Sequence, residues 1–236
     1  MQHKKTWGKV LLALILLLAA LTASTNNVHA AETTDWSNVT WNVIGDSLTA
    51  KDNTYATKRY FDFIQENLHI KKINNYGISA STVGSVSSPI SVRYASMEND
   101  ADLITVFAGL NDYGKNEDLG MPSDSTNRTY YGALDVLMKG LTKKYPNKKI
   151  AYISMYARNF IPPVNKLGIP DYAYVNAEIE ICERYHIPHL NLYEMDSINI
   201  SLSGAQGFRA LDGVHLNNAG HQHLAKIMEK FIKELP

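Results

Sequence analysis

A serine hydroxyl is a weak nucleophile at neutral pH unless a base stands beside it. A carbonyl under attack also needs donors for the charge that gathers on its oxygen. The sequence holds a candidate for each part. Ser47 follows an apolar run, Thr40 to Ile44, that breaks at Gly45-Asp46. Gly77 closes a second short run, Asn111 sits in Gly109-Leu110-Asn111-Asp112 after a third, and His215 lies three residues beyond Asp212 near the C-terminus. In that reading Ser47 is the nucleophile and His215 the general base. Asp212 is the carboxylate that orients the imidazole and stabilises the imidazolium. The backbone N–H groups of Ser47 and Gly77 and the side-chain amide of Asn111 would converge on the oxyanion. Taken singly, each residue has a plainer reading: Ser47 in a strand-to-helix loop, His215 on a surface loop, Asn111 bracing its own turn.

The elements that must position these residues follow from the pattern of apolar residues. After Ile44 the chain alternates short apolar runs with amphipathic stretches, the pattern of βαβ units stacked into a parallel sheet. Strands are expected at 40–44, Lys72 to Tyr76, Leu103 to Ala108, Ile150 to Met155 and Leu190 to Tyr193. The run at 103–108 is continuous enough for a central strand buried on both faces. Tyr60, Phe61, Ile64 and Leu68 mark a helix, as do Tyr130, Leu134, Leu137, Met138 and Leu141, then Val175, Ile179 and Cys182, and finally Leu224 to Leu235. Asn217 or Asn218 would cap the last of these. Cys182, the only cysteine, shares a helix face with Val175 and Ile179 and reads as core. In a doubly wound sheet of order 2-1-3-4-5, strand 1 lies about 4.8 Å from strands 2 and 3. Ser47 would then be flanked by Gly77 and Asn111.

These residues, in this order, resemble the SGNH (GDSL-type) hydrolase family. Gly45-Asp46-Ser47-Leu48, Asn75-Tyr76-Gly77, Gly109-Leu110-Asn111-Asp112 and Asp212-Gly213-Val214-His215 stand where that family has its four blocks, across nearly the whole chain after residue 30. The resemblance implies a three-layer α/β/α sandwich on a five-stranded parallel sheet. It also implies Ser47, His215 and Asp212 as catalytic residues, with Ser47, Gly77 and Asn111 as the oxyanion hole. Leu110 and Leu216 depart from the smaller or polar residue and the proline often found there. No Gly-x-Ser-x-Gly occurs, so the nucleophile elbow of ordinary α/β-hydrolases does not account for Ser47.

Lys4, Lys5 and Lys9 precede an apolar run from Val10 to Leu21, followed by a polar stretch and by Val28 and Ala30 at the small positions of a cleavage site. Residues 1–30 read as a secretory signal peptide and 31–236 as one hydrolase domain beginning at Ala31. The apolar run is too short to span a bilayer, which takes about 20 residues. Removing the leader leaves 20 basic against 23 acidic residues, a formal charge of −3, which argues against a nucleic-acid partner. His69, His186 and His189 adjoin helix ends or strand starts and read as structural. His221 and His223 lie two apart on a helix and point to different faces, so no metal or other cofactor is expected.

The expected activity is that of a secreted serine esterase acting through an acyl-enzyme on a small-molecule or polysaccharide ester, with short acyl groups on carbohydrate preferred. A lipase-like esterase or thioesterase is the rival, and the apolar, proline-interrupted segment from Phe160 to Leu167, a candidate cleft wall, is its best support. A non-catalytic carbohydrate-binding protein is the rival of another class, compatible with the 14 tyrosines but not with an intact serine, histidine, aspartate and asparagine.

Overall fold

The computed structural model describes residues 34–236 except 53, 158–163, 196, 197, 199–206, 209 and 211. The leader, the expected start at Ala31 and residues 160–163 of the candidate cleft wall lie outside the described residues. Five strands, β1 (Thr40–Gly45), β2 (Lys72–Gly77), β3 (Leu103–Phe107), β4 (Lys149–Ile153) and β5 (His189–Leu190), pair in parallel in the order β2-β1-β3-β4-β5. The three central strands, β1, β3 and β4, are buried on both faces, whereas the edge strand β2 is exposed or half-buried along its length. Trp41, Val43, Leu103, Phe107 and Ile153 join one core, and Ile44, Ile104, Val106, Ile150 and Tyr152 join the other. A strand so patterned has no face to give to water and must be covered by helices on both sides.

Those helices are paired by face. α1 (Tyr60–Leu68) packs with α6 (Asn218–Lys233) over the first core through Tyr60, Phe61, Ile64, Leu224 and Met228. Over the second, α4 (Tyr130–Lys144) packs with α5 (Asp171–Arg184) through Leu134, Leu137, Met138, Ile181 and Cys182. Two short helices, α2 (Ile90–Arg93) and α3 (Leu110–Gly114), fill connections that apolar periodicity leaves blank. Each large apolar side chain removed from water here contributes roughly 1.5–3 kcal/mol, so the two cores fix the three-layer α/β/α architecture. Burial pushes the Cys182 thiol pKa up, which suits a packing role rather than a nucleophile.

Two boundaries differ from expectation for local reasons. β5 stops at Leu190, because the Asn191 side chain accepts from Tyr193 N–H at 3.1 Å and turns Leu192–Glu194 into a 3₁₀ turn, while Ser154 Oγ takes Leu192 N–H at 2.9 Å. At α6 the cap is Asn217, which accepts from Gly220 N–H at 2.9 Å. Asn218 faces the other way and accepts from Thr57 N–H at 2.8 Å.

Register sets up the site. Gly45 lies opposite both Gly77 and Phe107, so β1, β2 and β3 end level and their following loops emerge side by side.

Candidate active site

Ser47 sits in a tight turn directly after β1, where Thr49 and Ala50 N–H both donate to Asp46 O. The buried Asp46 carboxylate accepts from Leu48 N–H at 2.9 Å and so closes the turn from inside. The Ser47 hydroxyl is left half-exposed at the sheet edge, 2.8 Å from His215 Nε2. On the far side of the ring, Nδ1 lies 2.5 Å from Asp212 Oδ2. Asp212 Oδ1 takes the N–H groups of Val214 and His215 at 2.9 and 3.0 Å, a local turn that leaves Oδ2 free for the imidazole. The loop is anchored below by Tyr156, at the end of β4, whose hydroxyl donates to Val214 O at 2.5 Å. Burial alone raises the Asp212 carboxyl, but the hydrogen bonds from the His215 ring and the two N–H groups outweigh it and hold the pKa below the ordinary aspartate value. With Asp212 ionised and taking Nδ1–H, Nε2 is the lone-pair nitrogen facing the serine.

The third block works through a glycine that cannot be replaced cheaply. Gly109 has φ +115°, and a Cβ there would lie 2.1 Å from Glu178 Oε1 and 2.8 Å from the Tyr130 hydroxyl. Only glycine lets β3 turn directly into α3 over this buried pair, in which Tyr130 donates to Glu178 at 2.6 Å. Burial pushes the Glu178 carboxyl well above its ordinary range. The turn presents Asn111 towards the first block. Asn111 Nδ2 donates to Ser81 O at 2.9 Å and, over a longer 3.3 Å, to Asp46 Oδ2. The neighbouring Asp112 is fully buried and accepts from Val83 and Gly84 N–H at 3.0 and 2.9 Å, clamping the loop after β2 to α3. Desolvation raises its pKa well above the ordinary value, against the pull of those two hydrogen bonds.

Gly77 requires a correction. Its N–H does not face the serine as an open donor, for it gives its hydrogen to Asn75 Oδ1 at 2.7 Å. The same Asn75 side chain donates through Nδ2 to Thr49 O at 3.0 Å. A Cβ on Gly77 would come within 2.5 Å of Ala50 N. The second block therefore braces the Ser47 turn: the glycine permits close approach, and Asn75 ties the two segments together. The next N–H groups along the chain, those of Ser79 and Ala80, donate to nothing among the described residues, and Ala80 holds a left-handed φ of +63°.

Two residues that periodicity and motif spacing do not single out complete the frame. The Arg93 guanidinium donates to Gly45 O at 2.7 Å, to Ser81 Oγ at 3.0 Å and to Tyr76 O, joining the ends of β1 and β2 to the turn that meets Asn111. Burial brings its pKa down to about 10, the Asp46 carboxylate opposing the shift. Tyr55, in the loop between Ser47 and α1, stacks on the His215 ring. The part of the candidate cleft wall inside the described residues, 164–167, docks on the turn after α3, where Lys166 N–H donates to Asn116 Oδ1 at 2.7 Å.

The α/β/α fold with these three loops at one sheet edge defines an SGNH-type hydrolase. The sequence profile of the GDSL-like lipase/acylhydrolase family matches residues 43–223, and the chain belongs to that family; it is a carboxylic ester hydrolase. Among solved structures, a protein from Lactobacillus plantarum is 33% identical over 82% of this chain and 96% of its own, with a TM-score of 0.78. Two more distant structures share the fold. A lipase/acylhydrolase from Enterococcus faecalis is 18% identical, with 84% and 97% of the two chains covered and a TM-score of 0.57. An acetyl xylan esterase from Geobacillus stearothermophilus is 19% identical, with 83% and 94% covered and a TM-score of 0.60. The sequence matches no curated protein.

Proposed function

We propose that this chain is an exported serine esterase that removes short acyl groups from carbohydrate through an acyl-enzyme on Ser47. The observation that carries the serine mechanism is the line Ser47 Oγ, His215 Nε2, His215 Nδ1, Asp212 Oδ2, with gaps of 2.8 and 2.5 Å. As Ser47 Oγ bonds to the acyl carbon, its proton passes to Nε2 and Asp212 offsets the charge that appears on the imidazolium. The carbonyl oxygen becomes an oxyanion beside the Asn111 amide, the Ser47 N–H and the N–H groups of Ser79 and Ala80. Nε2–H then protonates the departing alkoxide as the ester C–O bond breaks. Water repeats the cycle: it gives a proton to Nε2, adds to the acyl carbon and releases the acid, and Ser47 takes its proton back.

The rim supports a hydroxyl-rich leaving group. Tyr55 and Asp212 are exposed beside Ser47, and across the mouth Ser79 Oγ donates to Asp52 at 2.5 Å. A second reading, a longer acyl chain, is favoured by Val164 and Leu167, both exposed on the loop docked beside α3. Acetyl, butyryl and octanoyl esters of one chromogenic alcohol separate the two. Acetyl is expected to give the highest kcat/KM, and an octanoyl preference would reverse the assignment. The leader-like composition of residues 1–30 supports export. N-terminal sequencing of protein recovered outside the cell should read from Ala31, and material retaining Met1 would defeat that part.

A further inference from the structure

We infer that Tyr55 is a positioning residue of this esterase, holding the His215 imidazole in the plane that proton transfer from Ser47 requires; the inference rests on the serine mechanism proposed above. The two rings lie with centroids 4.4 Å apart and planes inclined by 6°, a parallel stack, with the Asp212 carboxylate near the Tyr55 phenol. The side chain therefore packs on the ring that faces the serine.

The stack is built into the fold. Arg59, almost fully buried at the head of α1, donates to Ala50 O at 2.7 Å and Ala56 O at 2.6 Å and so pins both ends of the loop that carries Tyr55. Asn218 accepts from Thr57 and Lys58 N–H at 2.8 and 3.3 Å and donates to Thr57 Oγ1 at 3.0 Å. Asn218 is the first residue of α6, three positions after His215. The Tyr55 loop and the histidine loop thus share one anchor, and their relative placement does not depend on the stack itself.

The physical need is specific. His215 and Asp212 are themselves partly exposed on a loop, where the imidazole needs a wall to hold its plane. An aromatic face supplies one, and it also favours the cationic ring that forms during each proton transfer. The charge of the neighbouring Asp212 holds the phenol above its ordinary pKa.

The test uses Tyr55→Phe, which keeps the ring, and Tyr55→Leu, which removes it, in the full mature protein. Tyr55 is 42% exposed, so both should fold with near-unchanged melting temperature. Tyr55→Leu should lower kcat about tenfold with KM held within about twofold, and should slow phosphonylation of Ser47 by an aryl phosphonate to the same degree. Tyr55→Phe should recover most of both. In proton NMR the low-field His215 Nδ1–H signal should broaden in the leucine variant and return in the phenylalanine variant, which a merely structural role would not produce. Wild-type kcat and labelling rate in Tyr55→Leu would overturn the inference, as would an effect confined to KM, which marks a substrate contact. Absence of any Ser47 labelling in the unsubstituted protein would sink the serine mechanism first and this inference with it.

Discussion

Replacing Ser47 by alanine should lower kcat for any accepted ester by at least about 10⁴-fold while leaving the fold intact. Ser47 is partly buried, and its hydroxyl bonds His215 at 2.8 Å rather than packing in either hydrophobic core. Partly exposed sites of this kind change stability by about 0.5 kcal/mol or less. The residual rate should come from binding and from oxyanion donors that the substitution leaves in place. His215→Ala should be similarly inactive, and the double variant Ser47→Ala/His215→Ala no worse than either alone, because the two act in one proton transfer and their effects are not additive. Steady-state kinetics and thermal melts on the three preparations give the answer. A Ser47→Ala protein keeping a tenth or more of the wild-type kcat would remove the serine from the mechanism, and a doubly substituted protein far slower than both singles would show that the pair does not work as a unit.

The sequence exposes the positions of the three loops because each follows a strand whose termination is written in residue type. A strand reaches a glycine at or just past its end at Gly45, Gly77 and Gly109, and a parallel sheet brings such ends to one edge. The Asp212-to-His215 spacing is legible for a similar reason, since three residues suffice for a carboxylate to cap its own turn and still reach the ring. The hydrogen-bond assignments are less legible. Gly77 looks like a donor in the sequence, yet Asn75, two residues earlier, captures its N–H; an asparagine can bond its own chain or a distant one, and nothing local decides which. Tyr55 and Arg93 are also hidden. Tyr55 lies in a loop and Arg93 ends the short α2, and each acts across a long sequence separation, on His215 and on Gly45, through contacts that exist only once the sheet is assembled. Asp46 and Asp112 could have been found, since each follows a strand-ending glycine and a buried aspartate there needs backbone N–H partners.

Asn111→Ala should reduce both rate and stability, and the structure says why the two come together. The side-chain amide donates to Ser81 O at 2.9 Å and to Asp46 Oδ2 at 3.3 Å. The first bond fastens α3 to the turn after β2. The second is long enough for its hydrogen to swing to a substrate oxyanion as charge develops there. Losing an oxyanion donor typically costs about 10²–10³ in kcat with KM little changed. Losing the brace removes the bond to Ser81 O, a cost of about 1–3 kcal/mol, and in a domain of this size each kcal/mol lowers the melting temperature by about 2–4 °C. Asn111→Asp should be worse on both counts, because its carboxylate would face the Asp46 carboxylate in the free enzyme and the oxyanion in the transition state. If Asn111 only braces its loop, the alanine variant assayed well below its melting temperature will keep near-normal kcat. Measuring kcat, KM and melting temperature on one preparation separates the two roles: a destabilised variant with full kcat would confine Asn111 to the frame, and a 10²-fold slower one with unchanged KM would place its amide on the reacting oxygen.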